Sequence, residues 1–431
     1  MNDRKRLLFY SQYAFHRPLY TVFECLCADH GLEGFVISHE ENEVPRVYAR
    51  EGRLTPQSAG LAQVPDFVTV IPGDLPYPGK LALLKKKVQE IRPDFIWAHE
   101  EPTDPYVNEM LRWFYFRQTP RIVVYVAENL WRLGYAYKEH YARFQRRVLW
   151  TRYNGVVACA TKSLESIRSV GMPQSVPAQV AWLPHLPPPP AGNDERISFL
   201  PQKKEGEVFV GFVGRIMAGK GWRVLLAALA QLPENFQCLI AGTGEEEAEL
   251  RLWCLLPALR SRVHYLGVLD KEKLWDFYRA LGVFVLPSVT TPHWTEQFGA
   301  VLAEAMSCAV PVIGSSSGAI PEVVGDCGLI VEENNPTALA KAICTLANDP
   351  ELRAVCVERG LRRFEQEFSL QAYAARLAAA LHLSTSTNHQ PSGRVRGRRV
   401  GGYILLTLAG ASGRVFQGMR RRIVRWVVGS D

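Results

Sequence analysis

Residues 296–306 read EQFGAVLAEAM, and two glutamates, Glu296 and Glu304, stand eight positions apart in an otherwise apolar run. Carboxylates are almost never buried unless something pairs with them, so both side chains need an explanation. Gly299 marks a helix start, which leaves Glu296 in the preceding loop and Glu304 more than one turn inside. A carboxylate in such a loop can accept hydrogen bonds from sugar hydroxyls. One inside the helix and facing a cleft can take both hydroxyls of a ribose. Between them, the amides of Gly299, Ala300 and Val301 carry the positive end of the helix and can hold a phosphate. The pattern fits equally well one acid capping the helix and the other on a solvated face.

Two further stretches carry chemistry of a matching kind. In VGFVGRIMAGKGWRVLLAAL (210–229), a strand runs through a glycine-rich turn into a helix, with Arg215 and Lys220 flanking the turn. Gly211 and Gly214 permit close backbone approach, and two cations beside a helix N-terminus suit a phosphate or diphosphate. The spacing is neither that of a P-loop nor of a GxGxxG fingerprint, and a surface turn with solvated charges has the same look. In CLIAGTGEEEAEL (238–250), Gly242 and Gly244 leave room for a planar base, or simply form a tight turn whose acids favour a helix start.

Each of these turns must be held by a strand and a helix, and the chain supplies them in alternation, the pattern of parallel sheets with crossover helices. In the first half the strand runs are RLLFYS, EGFVIS, FVTVIP, DFIWAH, RIVVYVA, GVVACA and VAWLP. Helical patterns lie near 18–30, 78–91, 105–117, 136–150 and 161–171. A Pro-rich, polar stretch around 186–206 has linker composition. The pattern restarts with VFVGFVG, FQCLIAG, RVHYLG, VFVLPS, VPVIG and GLIVEE, and ends in a long helical pattern over 350–382. Ligands of such sheets bind outside the carboxyl ends of the strands, so a cleft between two such edges would enclose a substrate. The division expected is a Rossmann-like domain over 1–186, a linker over 187–206 and a second Rossmann-like domain over 207–360, followed by a C-terminal helix over 361–383 and a basic tail over 384–431.

Composition bounds the class. The 431 residues are 47% hydrophobic and 22% charged, which is ordinary globular composition. The nine cysteines are scattered, with no CxxC pair or Cys/His cluster at metal-ligand spacing, as expected of structural thiols in a reducing compartment. The apolar run near the start is too short for a signal peptide, and no run approaches the roughly 20 residues of a membrane span. The expected location is cytoplasmic, either free or peripheral on the inner face of a membrane. From Ser384 onward there are nine arginines and one acid, a net +8, so the remaining residues carry −1 of the total +7. General or specific nucleic-acid binding is therefore not implied.

As an ordered set, the three turns resemble the retaining glycosyltransferases of family 4, which have the two-domain GT-B fold. The matching residues are GRIMAGKG for a GR…KG element, AGTG for a G-x-G turn, PS at 287–288, and EQFGAVLAEAM for an E-x7-E motif followed by VPVIGSSSGAIPEVVGDCGLIV. The resemblance covers about 210–350. PDFIWAHEEPTD and RIVVYVAENLW match more loosely.

The resemblance implies an α/β GT-B fold, two Rossmann-like domains facing a central cleft. It implies a sugar moved from a nucleotide-diphosphate sugar, UDP or GDP, to a glycan or lipid-linked acceptor in cell-envelope or glycoconjugate synthesis. Arg215, Lys220 and Glu296 would be the catalytic residues, the two cations on the diphosphate and Glu296 on the transferred sugar. Glu304 would hold the ribose, and Phe298, Gly299, Ala300 and Val301 would line the sugar and distal phosphate. Gly214, Gly242, Gly244 and the backbone at Val268 would complete the donor site. No metal or other cofactor is required, because preorganised cations can meet the charge that develops on the leaving diphosphate. With no pair of carboxylates at glycosidase spacing, attack is expected on the front face, with retention. A catalytically silent sugar- or nucleotide-binding scaffold of the same fold is the alternative reading, and a sugar-nucleotide epimerase is a second.

The first half departs from the pattern. The loop after its first strand, YSQYAFHRPLY, has no glycine, so phosphate contacts there would fall to His16 or Arg17. After RIVVYVA, Glu128 and Asn129 stand where some relatives have a histidine. His99, at the end of DFIWAH, is either a sugar-side residue or a hydrogen-bonded structural histidine. In the tail, 384–400 has the composition of a flexible basic linker. Beyond it, Leu408, Ala411, Val415, Phe416, Met419, Ile423, Trp426 and Val427 recur at helical spacing with arginines opposite, as in an interfacial helix on an anionic membrane; with Gly410, Gly413 and Gly418 inside the pattern, a disordered tail or one docked on the body fits equally well.

Overall fold

Short runs rich in Val, Ile, Leu and aromatics make thirteen strands among the described residues, and every strand pair is parallel. The computed structural model describes residues 4–11, 17–39, 66–72, 74–102, 104–127, 147–189, 199–292 and 294–383. The first seven strands are β1 (Arg6–Tyr10), β2 (Glu33–His39), β3 (Val68–Ile71), β4 (Phe95–Ala98), β5 (Arg121–Val126), β6 (Gly155–Ala158) and β7 (Ala178–Val180). They form one sheet in the order β3-β2-β1-β4-β5-β6-β7. The other six are β8 (Val208–Val213), β9 (Phe236–Ala241), β10 (Val263–Gly267), β11 (Val283–Leu286), β12 (Val312–Ser315) and β13 (Gly328–Val331). Their order is β10-β9-β8-β11-β12-β13.

Strands buried on both faces read as continuous apolar runs, and side chains still alternate between the faces. On β1, Leu7 and Phe9 enter one core while Leu8 and Tyr10 enter another. The first core takes Leu19 and Phe23 of helix α1 (Arg17–Asp29); the second takes Leu84 and Val88 of α2 (Tyr77–Ile91) and Val107 and Met110 of α3 (Pro105–Trp113). Helix α4 (Thr161–Ser169) follows β6. In the second half, α5 (Trp222–Leu229), α6 (Glu247–Trp253), α7 (Lys271–Ala280), α8 (Ala300–Ser307), α9 (Ile320–Val324) and α10 (Pro336–Asn348) each follow one strand.

The two α/β halves have the fold class expected from the sequence, two Rossmann-like units of the GT-B type. Three local expectations are corrected. β7 is displaced to Ala178–Val180 from the VAWLP run, because Trp182 leaves the sheet to stack on Phe298 at 5.4 Å, and Pro184 has no N–H for a ladder. α3 stops at Trp113, short of 117. The long pattern over 350–382 is broken into α11 (Pro350–Arg363), a π-helical turn (Phe364–Phe368) and α12 (Leu370–Ala380). The break falls where the His185 amide donates to the Phe368 carbonyl at 2.9 Å and the Ser369 side chain caps α12 by accepting from the Ala372 amide.

α12 lies against α1 and the β6–β7 side of the first sheet. Met1–Ser384 forms one compact unit. No helix among the described residues is long and apolar enough to cross a membrane. The helical pattern near 136–150 lies largely outside the described residues, and so does the whole basic tail.

Strand order reverses between β1 and β4 in the first sheet and between β8 and β11 in the second. At such a switch point the loops leave in opposite directions and open a crevice at the carboxyl ends of the strands. The stretches singled out above, 214–221 after β8 and 287–299 after β11, both emerge at the second sheet's switch point.

Candidate active site

The loop after β8 is stitched to the loop after β11 by backbone. The Val289 amide donates to the Gly219 carbonyl at 2.8 Å. Gly221 has φ +71°, and a Cβ there would lie 1.8 Å from the Pro287 carbonyl oxygen, so no other residue fits. This contact fixes Lys220 between two glycines and aims its side chain across the crevice. Its Nζ donates to both carboxylate oxygens of Glu296, at 3.0 and 2.8 Å, and stands 5.1 Å from the centre of the Trp294 ring. The Ser288 hydroxyl donates to Glu296 Oε2 at 2.8 Å. Glu296 is only 5% exposed, so its charge is matched inside the protein by an ammonium and a hydroxyl.

The rest of the β11 loop is held by its neighbours. The Ser315 hydroxyl donates to the Ser288 carbonyl, and the Ala319 amide donates to the Glu296 carbonyl at 3.0 Å. Glu333 accepts from the Thr290 amide and hydroxyl. Gly299 is the N-cap of α8 with φ +78° and ψ +47°, three residues after Glu296. The Leu302 amide turns back to the Gly299 carbonyl at 2.9 Å, and the amides of Ala300 and Val301 stand at the helix start, where the macrodipole is positive.

The turn after β9 closes the other flank. The Gly214 amide donates to Ala241, and the Ile216 amide to Thr243. A Cβ on Gly242 would lie 1.9 Å from the Gly214 carbonyl oxygen, so the 242–244 turn lies on the backbone that carries Arg215. The Arg215 guanidinium sits 3.3 Å from Glu245, with about half of each side chain exposed. A pair that open to water is worth little, so the arginine can exchange Glu245 for another anion. Val268 is 49% exposed beyond β10.

Glu304 lies on the second turn of α8, half-buried, and its Oε2 accepts from the Tyr278 hydroxyl at 2.8 Å. Burial first, and then the nearby Glu304 carboxylate, push the Tyr278 phenol well above its ordinary pKa, so it acts as a donor.

The expected residues are thus divided. Gly214, Arg215, Lys220, Gly242, Gly244, Glu296, Gly299, Ala300, Val301 and Glu304 belong to loops and helix starts at one sheet edge. The Phe298 ring is buried against Trp182 (5.4 Å), His185 (5.5 Å) and Phe368 (5.9 Å), where it packs the crossing between the halves. His99 is 6% exposed, stacked on Tyr125 at 4.0 Å and 3.4 Å from the Tyr373 hydroxyl of α12. His16, Glu128 and Asn129 lie outside the described residues; Arg17 opens α1 and is exposed. Ser288, Trp294 and Tyr278 were not anticipated as site residues. Ser288 and Trp294 had a signal, since they share a loop with Glu296. Tyr278 had none, lying in a separate amphipathic helix.

With the geometry in place, comparison with known proteins gives the class. Residues 193–363 match the sequence family described as Glycosyl transferases group 1, so the chain contains a domain of that kind. Its fold is that of HepE from Anabaena, whose crystal structure was solved in complex with UDP (TM-score 0.65, 21% identity, 88% of this chain and 99% of that one). Over 161 residues, 36% of the chain, it is 33% identical to the O-antigen chain mannosyltransferase B of Escherichia coli, covering 41% of that protein. Over 173 residues, 39% of the chain, it is 32% identical to a GDP-mannose-dependent monoacylated alpha-(1-6)-phosphatidylinositol monomannoside mannosyltransferase of Corynebacterium glutamicum, covering 45%. The chain thus spans less than half the length of these curated relatives.

Proposed function

We propose that the chain is a retaining glycosyltransferase that moves a sugar from a UDP- or GDP-sugar to a glycan or lipid-linked acceptor. The observation that carries this reading is the buried Glu296 held by Lys220 and Ser288 at the sheet's switch point, next to the start of α8. An ammonium has three protons, so Lys220 can bridge Glu296 and a diphosphate oxygen at once. Arg215 exchanges Glu245 for the same diphosphate. Glu296, oriented by Ser288, accepts hydrogen bonds from hydroxyls of the transferred sugar. Ala300 and Val301 offer amides to the distal phosphate, and Glu304 takes the ribose.

In the reaction the bond between the anomeric carbon and the diphosphate oxygen breaks as the acceptor oxygen bonds that carbon on the same face. The acceptor's proton passes to the departing phosphate. Negative charge builds on the diphosphate, where Arg215, Lys220 and the helix amides are already aimed, so they favour the transition state over the ground state. No divalent metal is required in this account. The UDP of the Anabaena structure and the GDP-mannose of the corynebacterial relative frame the choice of base.

A thermal-shift panel of UDP, GDP and ADP, run in EDTA on wild type and Arg215→Ala, tests the reading. One nucleotide at 100 times its Kd should stabilise the wild type by roughly 2.7 kcal/mol, and the variant should lose that shift. Transfer from the matching nucleotide sugar should follow. A normal melt with no response to any nucleotide would overturn the donor site and favour a silent scaffold.

A further inference from the structure

Glu304 poses a problem that the donor-site assignment alone does not solve. It is the charged residue on an eight-residue helix whose Leu302, Ala303, Ala305 and Met306 are buried. Glu304 shares a less buried stripe of the helix with Ala300, Val301 and the C-cap Cys308, all half-buried and at helical spacing. A glutamate on such a stripe has several rotamers, and fixing one of them on a ligand costs side-chain entropy.

The structure assigns that fixing to Tyr278: its hydroxyl positions the Glu304 carboxylate for the vicinal hydroxyls of the nucleotide's ribose, and so sets discrimination between ribo- and 2′-deoxyribonucleotides. Tyr278 is a positioning residue, acting through Glu304. Its ring is fully buried on α7, edge-on to Phe277 (5.8 Å, 80°) and Phe284 of β11 (5.4 Å, 66°), so the phenol cannot swing. A hydroxyl in such a wall must have an acceptor, and Glu304 Oε2 at 2.8 Å is that acceptor. The bond therefore serves both partners. It satisfies the phenol and locks the carboxylate before any ligand arrives, which is preorganisation. A carboxylate has about four acceptor positions, and Tyr278 uses one.

This inference rests on the reading of Glu304 as the ribose carboxylate, and the experiment separates the two. Binding of UDP, GDP and their 2′-deoxy forms is measured on wild type, Tyr278→Phe and Glu304→Ala, with a melt of each. Removing one charge-assisted hydrogen bond should cut the ribo-over-deoxy affinity ratio of Tyr278→Phe roughly tenfold. The loss should fall on the ribonucleotide, and KM for the nucleotide sugar should move more than kcat. Tyr278→Phe keeping the wild-type ratio while Glu304→Ala loses it would overturn the positioning role and leave the ribose reading standing. Equal weakening of both nucleotides in Tyr278→Phe would mark a purely structural bond and also overturn it. A wild-type ratio in Glu304→Ala would remove the ribose reading itself, and the inference with it.

Discussion

The carboxyl edges of the two sheets have the same topology and opposite contents. At the second, the loop after β8 lies directly on the backbones of the loops after β9 and β11, and Lys220 of the first meets Glu296 and Ser288 of the last. At the first, polar groups are spent on the scaffold. The Ser11 hydroxyl donates to Glu100 at 3.1 Å, the Ala127 amide donates to Glu101 at 2.7 Å, and Asp104 caps α3 through the Val107 amide. Burial raises the Asp104 pKa even against its backbone hydrogen bonds. His99 is closed over by Tyr373, which the chain brings back from 274 residues away. The second edge gathers charged side chains on short loops, whereas the described carboxylates of the first bond within the scaffold and Tyr373 of α12 packs on His99.

The largest effect should come from breaking the second edge. Lys220→Ala removes a cation from the developing diphosphate charge and strands Glu296 without its counter-charge. Loss of one preorganised donor costs about 10²–10³-fold in kcat, and breaking one side of a buried pair costs about 3–5 kcal/mol of stability. Lys220→Ala combined with Glu296→Gln should recover much of the stability and none of the turnover, read by urea denaturation and sugar transfer. Recovery of turnover would mean that Lys220 serves only to neutralise Glu296.

The first edge should respond the other way. His99→Phe keeps the stacking on Tyr125 and removes the imidazole partner of the buried Tyr373 hydroxyl. A buried polar group left unsatisfied costs about 1–3 kcal/mol. Urea denaturation should show that loss, while nucleotide affinity stays within about twofold, because the substitution leaves Arg215, Lys220 and Glu304 on the other edge untouched. A large drop in nucleotide affinity would erase the contrast between the edges.

This contrast also explains what the sequence made legible. The strands, the helix start at Gly299 and the cluster of Arg215, Lys220, Glu296 and Glu304 follow from local pattern, because each turn sits between its own strand and helix. Lys220 and Glu296 could be placed at one edge, yet not at 2.8 Å, since that distance depends on Gly221 lying on Pro287. The packing of the Phe298 ring was not legible, because its neighbours in space, Trp182 and Phe368, are far from it in sequence. Tyr278 and Tyr373 were invisible for the same reason: their partners come from other elements, and a tyrosine on an apolar helix face carries no mark of what its hydroxyl will meet.

The smallest expected effect lies where the two halves touch. The Glu322 carboxylate of α9 accepts from the Thr161 amide at 3.0 and 3.1 Å and from its hydroxyl at 2.5 Å, so it caps α4 from across the crossing. A cap is worth about 1 kcal/mol, and this one is present only while the halves stay together. Glu322→Ala should therefore lower stability by about that amount and shift opening between the halves about fivefold. Cys159 reports on the opening: its thiol is buried, its pKa is pushed up to about 12 by that burial, and it lies 3.9 Å from the Gln297 carbonyl of the other half. Alkylation of Cys159, followed by peptide mass spectrometry, should quicken in Glu322→Ala by about the same fivefold factor. Cys25 and Cys27, on α1 and away from the crossing, should keep their rates. Equal quickening at all three would mean that the cap stabilises the fold as a whole and that the halves do not part at this seam.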